Sequence, residues 1–150
     1  MSDADRDHGA RLRDLVALTP DECRALLRSR PVGRVVFVDA RGPVALPVNH
    51  VVDGDTIVFR TAASSSVLAS KYASQVGFEV DDFDETERRG WSVLVNGRIA
   101  LVEDPAELRR VEALGVTPWS EGPRTSYLRL DIRTITGRRL VPDESAVPPG

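Results

Sequence analysis

The stretch Ala45–Ser66, ALPVNHVVDGDTIVFRTAASSS, reads as two β-strands around a tight turn. Val51, Val52, Ile57, Val58 and Phe59 are β-branched or aromatic, and Asp53-Gly54 between them accepts the positive φ of a two-residue hairpin turn. The second run ends in Arg60 and Thr61 and opens into the hydroxyl-bearing residues Ser64, Ser65 and Ser66. A guanidinium, hydroxyls and the free N–H groups of a beginning helix together suit a phosphate. The same residues also suit a capped turn behind a solvated strand end, and the residues alone leave both readings open.

The chain around this hairpin continues in the same style. Before it come "GRVVFVD" (33–39), apolar on both faces as in a strand buried on two sides, and the turn "ARG" (40–42). Pro43 and Pro47 cannot donate to a ladder, so the strand they occupy is expected to be an edge or to be interrupted, with backbone groups left over. After the hairpin, "SSSVLASKY" suggests a short helical turn, and "QVGFEVDD", "GWSVLVNGRIALVE" and "SYLRLDIRTITGRR" are further strands. Two helices are marked by their caps. Thr19, Pro20 and Glu22 form a capping-box start ahead of Cys23, Leu26 and Leu27, and Asp104-Pro105 starts a second helix that Gly115 closes. Six strands with short helices and no βαβ alternation predict a mainly β, antiparallel barrel.

Composition bounds the function. One hundred and fifty residues suffice for one domain, expected over 18–140, with a disordered N-terminal tail over 1–17 and a flexible C-terminal tail over 141–150. Twenty Lys and Arg against 23 Asp and Glu give a net charge of −3 without a basic block, which argues against a nucleic-acid partner. One cysteine and two histidines supply neither a disulfide framework nor a clustered metal site, and suit a reducing cytoplasm. Without an apolar run of about 18 residues, no membrane span is expected.

The order of short motifs "VGRVVFV…GPVALPVNHVVDGDTIVFRTAASSSVLASK…VGFEVDD…GWSVLVNGRIALVED…PW…YLRLDIRTITGRRL" resembles the pyridoxamine 5′-phosphate oxidase-like family of the FMN-binding split-barrel superfamily, and its short stand-alone members from high-GC bacteria. The resemblance covers roughly Leu18 to Leu140. It implies a six-stranded antiparallel split barrel, a homodimer, and FMN at the subunit interface. It further implies that Arg60 and Thr61 contact the flavin phosphate with Ser65, Ser66 and Lys71, the last spaced further from Thr61 than the family's usual pattern. Pro47, Val48, Asn49 and His50 match the strand beside the isoalloxazine ring, which is served mostly by main-chain groups. Trp119, in a loop after Pro118, is a large ring that a partner subunit or the cofactor would cover. Trp91 alternates with Val93 and Val95 and is expected in the core.

The implied function is an FMN-dependent oxidoreductase with hydride transfer through flavin N5 to or from a small substrate. The alternatives are a deazaflavin (F420)-dependent reductase and a non-catalytic flavin- or haem-binding module, with His50 as the available axial nitrogen for haem. Authentic pyridoxamine phosphate oxidase activity is not expected, because the chain closes in "VPDESAVPPG" without the longer C-terminal region and substrate-binding Arg and His pattern of those enzymes.

Overall fold

The computed structural model describes residues 13–62, 75–119, 122–123 and 125–142. Its elements are β1 (Arg13–Ala17), α1 (Pro20–Arg28), β2 (Val32–Asp39), β3 (Gly42–Asp53), β4 (Thr56–Thr61), β5 (Val76–Asp84), β6 (Arg89–Leu101), α2 (Pro105–Glu112) and β7 (Ser126–Pro142). Every strand pairing is antiparallel. The sheet order is β1-β7-β4-β3-β2-β5-β6, and β7 also pairs with β6, which joins six strands into a closed ring. The sheet therefore has seven strands rather than the expected six. The additional strand is β1, which lies within the segment assigned to the N-terminal tail and pairs with Arg138–Pro142 of the 17-residue β7. Leu15, Val16 and Ala17 provide a short apolar run for that pairing, and β7 extends past residue 140 to receive it.

Both helices start where their caps require. The Thr19 hydroxyl accepts from the Glu22 N–H at 3.2 Å while the Glu22 carboxylate accepts from the Thr19 N–H at 3.0 Å, a reciprocal box that holds the Glu22 pKa below its ordinary value. Asp104 caps α2 through the Glu107 N–H at 3.0 Å. Helix α1 lays Cys23 and Leu27, both fully buried, into the barrel core among Phe59, Phe78, Val93 and Leu128. Burial, with the Glu22 charge adding, raises the Cys23 pKa, so this thiol is a packing residue. Helix α2 covers a second cluster, Val58, Val102, Val111, Val116 and Tyr127, on the other face of β4. Trp91, Val93 and Val95 line the core as the alternation predicts.

Two sequence readings shift. The tight turn is Gly54-Asp55, one residue later than Asp53-Gly54, because Asp53 and Thr56 already pair across the hairpin and the positive φ, +57°, belongs to Gly54. Strand β2 is not buried on both faces: Val35 and Phe37 are in the core, but Val38 on the outer face is 68% exposed. At Gly97 the barrel needs glycine outright, since a Cβ there would overlap the Asp131 carbonyl at the bulge between β6 and β7.

Candidate functional site

Strand β3 changes partner halfway. Residues Gly42–Asn49 pair with β2, whereas His50–Asp53 pair with Thr56–Phe59 of β4. Beyond the His50–Phe59 pair, β3 and β4 part: Arg60 and Thr61 continue against Tyr127 and Ser126 of β7, and no strand among the described residues lies against the outer edge of Gly42–Asn49.

The prolines follow from this parting. The His50 N–H donates to the Pro31 carbonyl at 3.1 Å, and in an antiparallel register alternate residues then direct their peptide groups toward β2. Val48, Leu46 and Val44 share that direction, so Pro43 and Pro47 fall where the missing N–H would have faced the open edge. The ladder to β2 loses nothing, and the edge is protected from further strand pairing. The expectation of an edge strand is met over its first half, and β3 is continuous rather than broken.

The predicted site residues distribute unequally around this opening. Pro47 is exposed, while Val48 packs partly on the core. The Asn49 side-chain oxygen accepts the Trp119 backbone N–H at 2.8 Å, tying the loop after α2 to β3 across 70 residues of sequence. The loop is held, but the Trp119 ring is 72% exposed. Arg60 donates to the Val116 carbonyl at 3.4 Å, and its guanidinium lies 5.1 Å from the centre of the Tyr127 ring, a cation–π contact. Thr61, the next residue, is buried, and strand alternation sends its side chain to the face opposite Arg60. Ser65, Ser66 and Lys71 lie outside the described residues.

His50 is a core residue. Its Nε2 donates to the Leu27 carbonyl at 3.0 Å, its ring meets Phe78 edge to face at 5.0 Å, and its Nδ1 is buried without a partner among the described residues. Burial depresses its pKa, against the raising effect of the Leu27 and Pro31 carbonyls. The His50 side chain is thus withdrawn from the surface, and the nitrogen considered as an axial ligand for haem is buried here. The edge of β3 at this point has main-chain groups to offer instead.

A further charged group lies beside Pro47. On the outer face Pro47 pairs with Arg34, and Arg34 pairs with Glu79. The Arg34 guanidinium donates to Glu79 at 3.0 Å and to Asp81 at 2.9 Å, while Arg30 pairs with Asp82 at 3.2 Å. Burial and the neighbouring Asp81 push the Glu79 pKa up to about 7, although Arg34 opposes them. A cavity of about 350 Å³ is bounded here by Arg30, Arg34, Pro47, Asp81 and Trp119. Sequence reasoning passed over this cluster. The available signal was the outward-facing charge set into two apolar strands, Arg34 in "GRVVFVD" and Glu79 and Asp81 in "GFEVDD".

Comparisons with known proteins agree with this architecture. An uncharacterised protein of Mycobacterium tuberculosis is 35% identical over 136 residues, covering 87% of this chain and 89% of its own length. A solved structure described as the FAD binding protein from Mycobacterium smegmatis superposes with a TM-score of 0.71 at 34% identity, over 83% of this chain and 97% of that one. A conserved protein of unknown function from Corynebacterium diphtheriae gives a TM-score of 0.70 at 32% identity, over 85% of this chain and 98% of that one. The pattern of the pyridoxamine 5′-phosphate oxidase family matches residues 19–139, and with the closed antiparallel ring and its parted strands this chain belongs to that family of split barrels.

Proposed function

We propose that the protein is a flavin-binding oxidoreductase, with FMN as its cofactor, acting on a small substrate. The parting of β3 and β4 carries this reading. It opens an unpaired strand edge, whose peptide groups suit a planar ring with hydrogen-bonding edges, within one strand of a cation at the end of β4. The donor set fits a flavin phosphate: Arg60 is held by the Val116 carbonyl and the Tyr127 ring, so little side-chain freedom is lost on meeting an anion. The Mycobacterium smegmatis relative, described as FAD binding, supports a flavin of this type, because FAD and FMN share the ring and the first phosphate.

A bound flavin would supply the two-electron chemistry by hydride exchange at N5. The chain's own residues bind and orient. Asn49 fixes the Trp119 loop over the opening, and the β3 edge hydrogen-bonds the ring. In this reading the protein is a cytoplasmic homodimer, and a second copy covers apolar side chains that one chain leaves exposed on the outer sheet face, Val38, Phe83 and Leu94. The test is a titration with FMN, FAD, riboflavin and deazaflavin. Arg60→Ala should weaken FMN by about 1.5–3 kcal/mol, roughly 10- to 150-fold, and leave riboflavin nearly unchanged. Equal weakening of both refutes the phosphate assignment, and no binding of any flavin at micromolar concentration refutes the reading.

A further inference from the structure

The cavity of about 350 Å³ beside Trp119 is lined unevenly in polarity and in charge. Pro31, Val32 and Pro47 give it apolar walls, and the Trp119 ring adds a flat one that is uncovered but positioned, since the Asn49 side chain holds the Trp119 backbone. Its charged lining is Arg30 and Arg34 against Asp81, two guanidinia to one carboxylate. Asp82 and Glu79, which pair with those arginines, line other cavities, Glu79 together with Arg138. The guanidinia also keep donors in reserve. Arg34 meets both Glu79 and Asp81 through Nη1, and Arg30 meets Asp82 through Nη2. Among the described residues, the Nε–H and the second terminal nitrogen of each remain without a protein partner.

We propose that this cavity binds a planar aromatic monocarboxylate, its ring against Trp119 and its carboxylate on the unused N–H donors of Arg30 and Arg34. A guanidinium fork matches a carboxylate in geometry, and a monoanion matches the single positive charge in excess on the lining. A cation would face that excess, and an aliphatic acid would leave the tryptophan face without a stacking partner. Glu79 tunes the site from outside it, through the shared Arg34. Around its carboxyl stand Arg34 of β2, Asp81 of its own strand, Arg138 of β7, and neutral side chains from β6 and β1. Burial and Asp81 hold its pKa up to about 7, so an arriving anion favours the protonated form and a proton is taken up on binding. The Arg60 clamp takes no part, so the site goes beyond the flavin reading and does not depend on it.

The test titrates the full chain with benzoate, with its uncharged isostere benzamide and with cyclohexanecarboxylate, following tryptophan fluorescence and heat in two buffers of different ionisation enthalpy. Benzoate should bind at least about tenfold more tightly than benzamide, as a charge-assisted contact requires. It should also bind several-fold more tightly than cyclohexanecarboxylate, and Trp119→Leu should remove that second preference. Its affinity should be greater at about pH 6 than at about pH 8, with a proton taken from the buffer. Glu79→Gln, which keeps the side chain's shape and imitates the protonated form, should tighten benzoate at about pH 8 and abolish the pH dependence. Arg30→Gln, which leaves the Arg34 ion pairs in place, should cut the preference for benzoate over benzamide several-fold. Equal binding of benzamide, no binding of benzoate, an affinity that ignores pH or rises with it, or indifference to Trp119→Leu would each overturn the proposal. Flavin binding has its own titration, so the two readings fail separately.

Discussion

The two halves of β3 show how one strand serves both core and site. In His50–Asp53 the strand is zipped to β4, and His50 is sealed beneath α1 by Leu27 and Phe78. In Gly42–Asn49 it keeps, among the described residues, only β2, with Pro43, Ala45 and Pro47 facing outward along the edge that these residues leave open. The change of partner falls between Asn49 and His50, adjacent residues with opposite surroundings. Asn49 reaches out to the Trp119 loop, while His50 is withdrawn from solvent. A barrel that hands a strand from one partner to another leaves an unpaired edge without an unpaired strand, and a ligand site can form at no loss to the core.

The contrast can be broken most forcefully from the zipped side. Phe59, fully buried opposite His50, should lose about 3–5 kcal/mol of stability on Phe59→Ala, read by denaturant unfolding. A loss below about 1 kcal/mol would mean that this half is not the rigid one.

The pH responses of the two sides should have opposite signs. His50 has a folded-state pKa below its ordinary 6.5, so its stabilising effect is complete above that value and declines as pH falls through the depressed pKa. Glu79 has a folded-state pKa raised from 4.5 to about 7, so its effect is complete below 4.5 and is lost as pH rises through about 7. His50→Gln should remove the acid-side decline, and Glu79→Gln the decline toward neutral pH, both measured as melting temperature against pH. Finding the same sign for both would contradict the opposed environments.

Smaller effects lie on the open side. Asn49→Ala removes the hydrogen bond to the Trp119 N–H and should cost about 0.5–1.5 kcal/mol, with altered Trp119 fluorescence as the local readout. Pro47→Ala should change stability by less than about 0.5 kcal/mol, because its nitrogen faces no ladder partner. A large loss there would show that the edge is occupied.

Much of this was legible because local chemistry decides it. Thr19, Pro20 and Glu22 announce α1, and Asp104-Pro105 announces α2, since a cap needs only its own turn. The alternation of Trp91, Val93 and Val95 placed them in the core, and Pro43 and Pro47 marked an edge. The strand β1 escaped notice because five residues in a polar N-terminal segment gain their order from β7, more than 120 positions away. The fate of His50 also depended on distant groups, for its carbonyl partner and aromatic neighbour come from α1 and β5. The sharing of Arg34 between Glu79 and Asp81 likewise required β2 and β5 to become neighbours.

By itself, then, the sequence determined the strand-rich class, both helix starts, the hairpin of β3 and β4 and the cation at its end, because capping, turn formation and alternation act within a few residues. Only the tertiary structure decided where β3 changes partner, which of Asn49 and His50 is buried, and which carboxylates gather at Arg34. Those outcomes follow from register and ring closure, which bring together residues that the chain keeps far apart.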